Sequence, residues 1–85
     1  MYYVYVMKSK RDGRLHVGHT GDLQRSINRH NGGQVAATKD RIPFEVVYYE
    51  ACTDKRDALK RESYLKGAYG QRFIENRLRH YFSST

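Results

Sequence analysis

The chain has 85 residues, 39% of them hydrophobic, and a formal net charge of +7 from 16 Lys and Arg against 9 Asp and Glu. These residues amount to one domain, 1–85, near the small end of what folds alone. No run approaches the roughly 18 apolar residues of a membrane span, nothing at the N-terminus reads as a signal peptide, and a lone cysteine, Cys52, excludes an internal disulfide; a reduced cytoplasmic setting with no membrane partner is expected.

Tyr2 to Met7 alternates aromatic and β-branched residues, which predicts a strand with Tyr3 and Tyr5 on one face and Val4 and Val6 on the other. The polar run Lys8 to Gly13 predicts a hairpin turn, with Gly13 free to take positive φ. Leu15 to His19 is the return strand; Leu15 and Val17 share one face, so His16 and Gly18 share the other. Gly18 within a strand marks a place where another group comes close. A short helix over residues 22–30 follows, with Thr20 as its expected N-cap and Asp22 in its first turn. Leu23 and Ile27 give that helix a buried edge, and Ser26 and His30, also four apart, lie together beside it. Asn31-Gly32-Gly33 stops it.

Residues 34–43 read as a polar connector carrying Lys39 and Arg41, and Pro43 marks the start of a third strand, Phe44 to Glu50. Thr53 or Asp54 caps a second helix whose apolar side is Ala58, Leu59 and Leu65. Glu62, four after Ala58 and three before Leu65, is therefore aimed inward. Gly67 and Gly70 bracket an expected break, and a last helix runs from about Gln71. Its inner stripe is Phe73, Ile74, Arg77, Leu78 and Tyr81, with Arg72, Asn76 and Arg79 facing out. The fold class is α+β, a small three-stranded antiparallel sheet flanked by three helices.

Charge is uneven along the chain. Residues 55–85 hold eight basic and three acidic side chains, against eight and six before them. That surplus suggests a polyanion-facing flank, although a solvated surface would give the same composition.

Several motifs then fall in order: Val4-Tyr5, Val17-Gly18, Thr20 with Asp22-Leu23, His30-Asn31, and Arg41 with Pro43 ahead of Val46 to Glu50. They continue with Ala58-Leu59-Lys60-Arg61-Glu62, Leu65-Lys66 and Gly70 to Ile74. With these the chain resembles the GIY-YIG nuclease superfamily, in particular its small single-domain bacterial members. The resemblance implies a metal-dependent endonuclease cutting DNA phosphodiesters. It implies that Tyr5 is the first-motif tyrosine, that His30 is the helix histidine, and that Glu62 holds one divalent cation, Mg²⁺ or Mn²⁺. Asn76 matches loosely a polar residue of the last helix. Two positions depart from the pattern: His16 stands where the second motif has a tyrosine, and Ser26 where the first helix has an arginine. Arg25 lies about 100° round the helix from that arginine's place.

Phosphodiester hydrolysis needs an activated water, neutralised phosphate charge and a metal to polarise the phosphate. On this pattern Tyr5 and His16 handle the water, His16 as a base with an ordinary pKa of about 6.5. Glu62 serves the metal, and Ser26 offers one neutral hydroxyl in place of the arginine. His30 and the basic residues Arg25, Arg29, Lys39, Arg41, Lys66 and Arg72 face the phosphates of DNA. Each has a plainer reading: Tyr5 as a core tyrosine, Glu62 as half of an ion pair, His30 as a helix-dipole partner, Cys52 as a small buried residue. His16 and His19, three apart on a strand, point to opposite faces and do not form a zinc pair. Two functions therefore stand, a nuclease with a variant and weakened site, and a catalytically inactive nucleic-acid-binding module on the same fold. Weak binding by so small a domain leaves room for a homodimer or a recruiting protein.

Overall fold

A computed structural model describes residues 1–84. Strand β1 (Tyr2–Ser9) turns into β2 (Leu15–Thr20), followed by α1 (Leu23–Asn31), a 3₁₀ turn at Lys39–Arg41 and β3 (Phe44–Cys52). Helices α2 (Lys55–Lys66), α3 (Ala68–Arg77) and α4 (Arg79–Ser83) complete it. The strands form one antiparallel sheet in the order β2-β1-β3. Alternation along the central strand β1 builds both faces of the domain. Val4 and Val6 pack with Val17 against Ala58, Leu65 and Ile74 of α2 and α3. Tyr5 and Met7 pack with Phe44 against Leu23 and Ile27 of α1. Both parities of β1 are apolar because both its faces are covered. The β1–β3 register slips between Val6 and Met7. That bulge lets Val47 and Tyr48 both reach the α2–α3 core while Val46 reaches the other.

Asp22, not Thr20, caps α1: its carboxylate accepts from the Arg25 amide at 3.1 Å. Thr20 sits two residues too early and its hydroxyl instead bonds the backbone of Asp22. Asp54 caps α2, accepting from the Arg56 amide at 2.8 Å. Leu59 is 40% exposed, because one step from buried Ala58 is a 100° rotation. Cys52 is half-buried rather than buried. The last helix is divided at Leu78, so among the described residues four helices stand where three were expected, and Arg77 is exposed. The division carries Tyr81 to Glu45 of β3 and Phe82 onto the core. Among the described residues no helix is long and apolar enough to cross a membrane.

Gly70 does not break a helix. It lies inside α3, buried, where a Cβ would collide with the Tyr64 carbonyl and the Leu65 backbone. Its bare backbone lets α3 cross tightly over the end of α2. Gly70→Ala is expected to lower stability by about 1–3 kcal/mol, since backbone cannot move aside as a flexible side chain would. The measurement is the urea midpoint; an unchanged midpoint would show that the crossing tolerates a methyl.

Candidate functional site

The cross-strand pair Tyr5–Gly18 lays the floor of the site. Tyr5 is 3% exposed, and its ring fills the space a Gly18 side chain would take: a Cβ there would lie 2.5 Å from the Tyr5 hydroxyl oxygen. The glycine is thus required by the approach of a neighbouring ring. The Tyr5 hydroxyl reaches α1, 3.0 Å from Ser26 Oγ and 3.0 Å from His30 Nε2. Ser26 and His30 meet it together because residues four apart share a helix face. Burial pushes the phenol upward, so Tyr5 is a neutral hydroxyl around pH 7.

His30 is buried, and its Nδ1 lies 2.8 Å from Thr38 Oγ1, a side chain with no exposure at all. His16, half-buried on β2, sets its ring centroid 5.2 Å from that of His30 and 6.3 Å from Phe44. Burial lowers the His16 pKa, and repulsion from His30, Lys66 and Arg41 lowers it further, while Glu62 pulls it up. Burial also lowers His30, with Arg29 adding to the effect. Both imidazoles are therefore neutral around pH 7. An unfolded histidine takes up its proton near pH 6.5, and these two resist it in the fold. The stability they contribute is present above about pH 6.5 and is lost as pH falls towards their depressed folded values. The melting temperature is expected to fall between about pH 7.5 and 5.5, and to fall less in His16→Gln; a flat profile for the native chain would contradict this.

Glu62 projects from α2 to the rim of β2. Its side chain is 15% exposed, with Oε1 2.9 Å from His19 Nδ1 and Oε2 3.3 Å from Lys66 Nζ. His19 is on the opposite face of β2 from His16, so the two histidines serve different neighbours. Glu62 nevertheless acts electrostatically on both Tyr5 and His16. As a hard oxygen donor it would suit a divalent cation such as Mg²⁺. Among the described residues no group of three or more His, Cys, Asp and Glu could hold a metal ion by itself. Lys66 occupies the second oxygen and would have to yield.

The basic residues separate into groups. Arg25 and Arg29, both exposed, line with Thr20, Asp22 and Ser26 a polar recess of about 340 Å³, and Ser26 on its wall is the residue that reaches the Tyr5 hydroxyl. Arg25 thus shares the recess with Ser26 although it points in another direction. Lys39 is exposed in the 3₁₀ turn. Arg41 is committed to the β1–β2 hairpin, with Nε 2.7 Å from Asp12 and its guanidinium over Phe44, so the structure does not bring it to the recess. That pairing holds the Asp12 carboxyl down to about 2. Arg72 lies over the ring of exposed Tyr69, with 5.9 Å between guanidinium and ring centroid. Asn76 is exposed on α3. The sequence weighed His19 only as a zinc partner of His16, and it pointed neither to the contact of His19 with Glu62 nor to Thr38. Forty-three residues separate His19 from Glu62, and Thr38 lies in an aperiodic connector, so no local pattern marks either.

Comparison with known proteins gives the family and the fold. A family model described as the GIY-YIG catalytic domain matches residues 1–78. A UPF0213 protein of Staphylococcus saprophyticus is 44% identical over 66 residues, covering 76% of this chain and 79% of that protein. One from Clostridium perfringens is 43% identical over 67 residues, covering 78% and 71%. The solution NMR structure of a UPF0213 protein from Bacillus halodurans superposes with a TM-score of 0.55 at 30% identity, covering 89% of this chain and 84% of that one. The chain belongs to the GIY-YIG catalytic domain family.

Proposed function

We propose that the chain is a metal-dependent DNA endonuclease domain whose hydrolysis is weakened by the residues at positions 16 and 26. The observation that carries this is the Tyr5 hydroxyl held between Ser26 Oγ and His30 Nε2, with a second neutral imidazole, His16, beside His30. Neutral His16 takes the proton of the attacking water, a task its lowered pKa permits at neutral pH. Tyr5 orients that water by accepting a hydrogen bond from it at the phenol oxygen. Arg25 and Arg29, at the mouth of the recess, offset the charge of the phosphate. Glu62 is the residue that would hold a divalent cation, whose bound form supplies charge stabilisation at the phosphate. DNA as substrate follows from the family and from the net charge of +7.

A second reading is a binding module without hydrolysis. It is favoured by the engagement of both Glu62 oxygens with His19 and Lys66. Nicking of supercoiled plasmid with Mg²⁺ and with Mn²⁺ separates the two. Divalent-dependent nicking by the native chain supports the first reading, and salt-sensitive binding without nicking supports the second. In either case Arg25 and Arg29 contact phosphate. The double change Arg25→Ala, Arg29→Ala is expected to flatten the slope of log affinity against log salt by about 2, near 0.9 per lost phosphate contact. An unchanged slope, measured by fluorescence anisotropy on a short duplex, would place the DNA elsewhere.

A further inference from the structure

We propose that Thr38 is a positioning residue: it holds His30 in the tautomer with the proton on Nδ1 and so turns a bare Nε2 toward the Tyr5 hydroxyl. Thr38 has no solvent exposure although it belongs to the connector between α1 and β3, where polar side chains normally meet water. A buried hydroxyl is retained only where it is bonded. Its backbone is pinned on both sides, with the Thr38 amide donating to the Val35 carbonyl at 3.0 Å and the Arg41 amide donating to the Thr38 carbonyl at 2.9 Å. Its side chain therefore meets His30 in one fixed place.

Proton positions follow from counting donors and acceptors along the chain of contacts. The Thr38 hydroxyl has a carbonyl acceptor, Val35 O, at 3.5 Å, and His30 Nδ1 at 2.8 Å. If the hydroxyl hydrogen points to Val35, the Thr38 oxygen accepts from Nδ1–H. His30 Nε2 is then unprotonated and accepts from the Tyr5 hydroxyl, and the Tyr5 oxygen accepts from Ser26 Oγ–H, both at 3.0 Å. The reverse polarity, with Thr38 donating to Nδ1, Nε2–H donating to Tyr5 and Tyr5 donating to Ser26, keeps those three bonds and gives up only the long Thr38–Val35 contact of 3.5 Å. It also leaves the buried Thr38 oxygen accepting nothing. Burial keeps His30 neutral at physiological pH, so a single tautomer is meaningful. The proposed arrangement gives Tyr5 a proton acceptor behind it, so that its oxygen can gain electron density while it orients a water. That consequence rests on the nuclease reading, whereas the tautomer does not.

The test is long-range ¹H–¹⁵N correlation of the histidine rings in the folded, ¹⁵N-labelled chain at about pH 7.5, where a neutral imidazole has one protonated nitrogen. The native chain and Thr38→Ser are expected to carry the His30 proton on Nδ1. In Thr38→Val the acceptor is gone and the proton should move to Nε2. An Nε2–H signal in the native chain, or an unmoved tautomer in Thr38→Val, overturns the proposal. If the native chain nicks plasmid, Thr38→Val is expected to slow it roughly 10–100-fold, as loss of an orienting partner commonly does, with Thr38→Ser restoring it. An unchanged rate in Thr38→Val despite a moved proton would remove the positioning role. Absence of nicking in every form would count against the nuclease reading, and the spectra would still decide the tautomer.

Discussion

Ser26→Arg combined with His16→Tyr is expected to raise the plasmid-nicking rate by roughly 10³–10⁵, the range in which a well-placed arginine accelerates phosphoryl chemistry. Ser26 borders a polar recess of about 340 Å³, so an arginine there has room to extend beside Thr20 and Asp22. Its charge would arrive where Ser26 now offers a neutral hydroxyl 3.0 Å from Tyr5. Repulsion from Arg25 and Arg29 works against the change, but like charges on an exposed helix cost only about 0.2–0.5 kcal/mol a pair. That is small beside the roughly 4–7 kcal/mol to which the expected acceleration corresponds. His16 is half-buried beside His30 and Phe44, and a tyrosine ring there can send its hydroxyl to the open side. Equal rates for the native and doubly substituted chains, at equal DNA affinity, would show that these positions do not limit hydrolysis.

Glu62→Ala is expected to reduce divalent-dependent nicking by about 10³ or more, because charge stabilisation by a metal is worth several kcal/mol and about 1.4 kcal/mol is tenfold. The fold should survive. The Glu62 pairs with His19 and Lys66 lie at a partly exposed rim, and such ion pairs contribute at most about 1 kcal/mol. Electrostatics predicts a second effect: Glu62 raises the His16 pKa, so its removal should lower that pKa further, visible in a histidine titration by NMR. Retained nicking in Glu62→Ala would assign the cutting to a contaminant or to other residues. Loss of nicking with an unmoved His16 titration would separate the metal role from the electrostatic one.

Much of the fold was legible because its signals are periodic. Alternation from Tyr2 to Met7 gave the central strand and its two faces, and spacing by four placed Ser26 and His30 on the side of α1 that meets Tyr5. Gly18 marked a close approach before the approaching group, the Tyr5 ring, was known. Less was legible at element ends. Asp22 and Thr20 are both good capping residues, and only the backbone path decides which precedes the first helical residue. Gly70 had the composition of a break but serves as a crossing point, because the sequence does not show how closely α3 approaches α2.

From its sequence alone the protein was determined to be an α+β domain with Tyr5, His16, Ser26 and His30 drawn to one side of a small sheet, since backbone pleat and helical pitch act on neighbouring residues. Tertiary structure alone decided which partners those residues keep. It ties Glu62 to His19, Arg41 to Asp12, and His30 to Thr38. Two of these contacts join different secondary-structure elements through the packing of α2 on the sheet and the hairpin on the connector. The His30–Thr38 bond closes an irregular loop. Their geometry depends on chain paths that no period in the sequence encodes. The fold is therefore written in local pattern, while the electrostatic state of the site is set by distant side chains that packing brings within hydrogen-bonding reach.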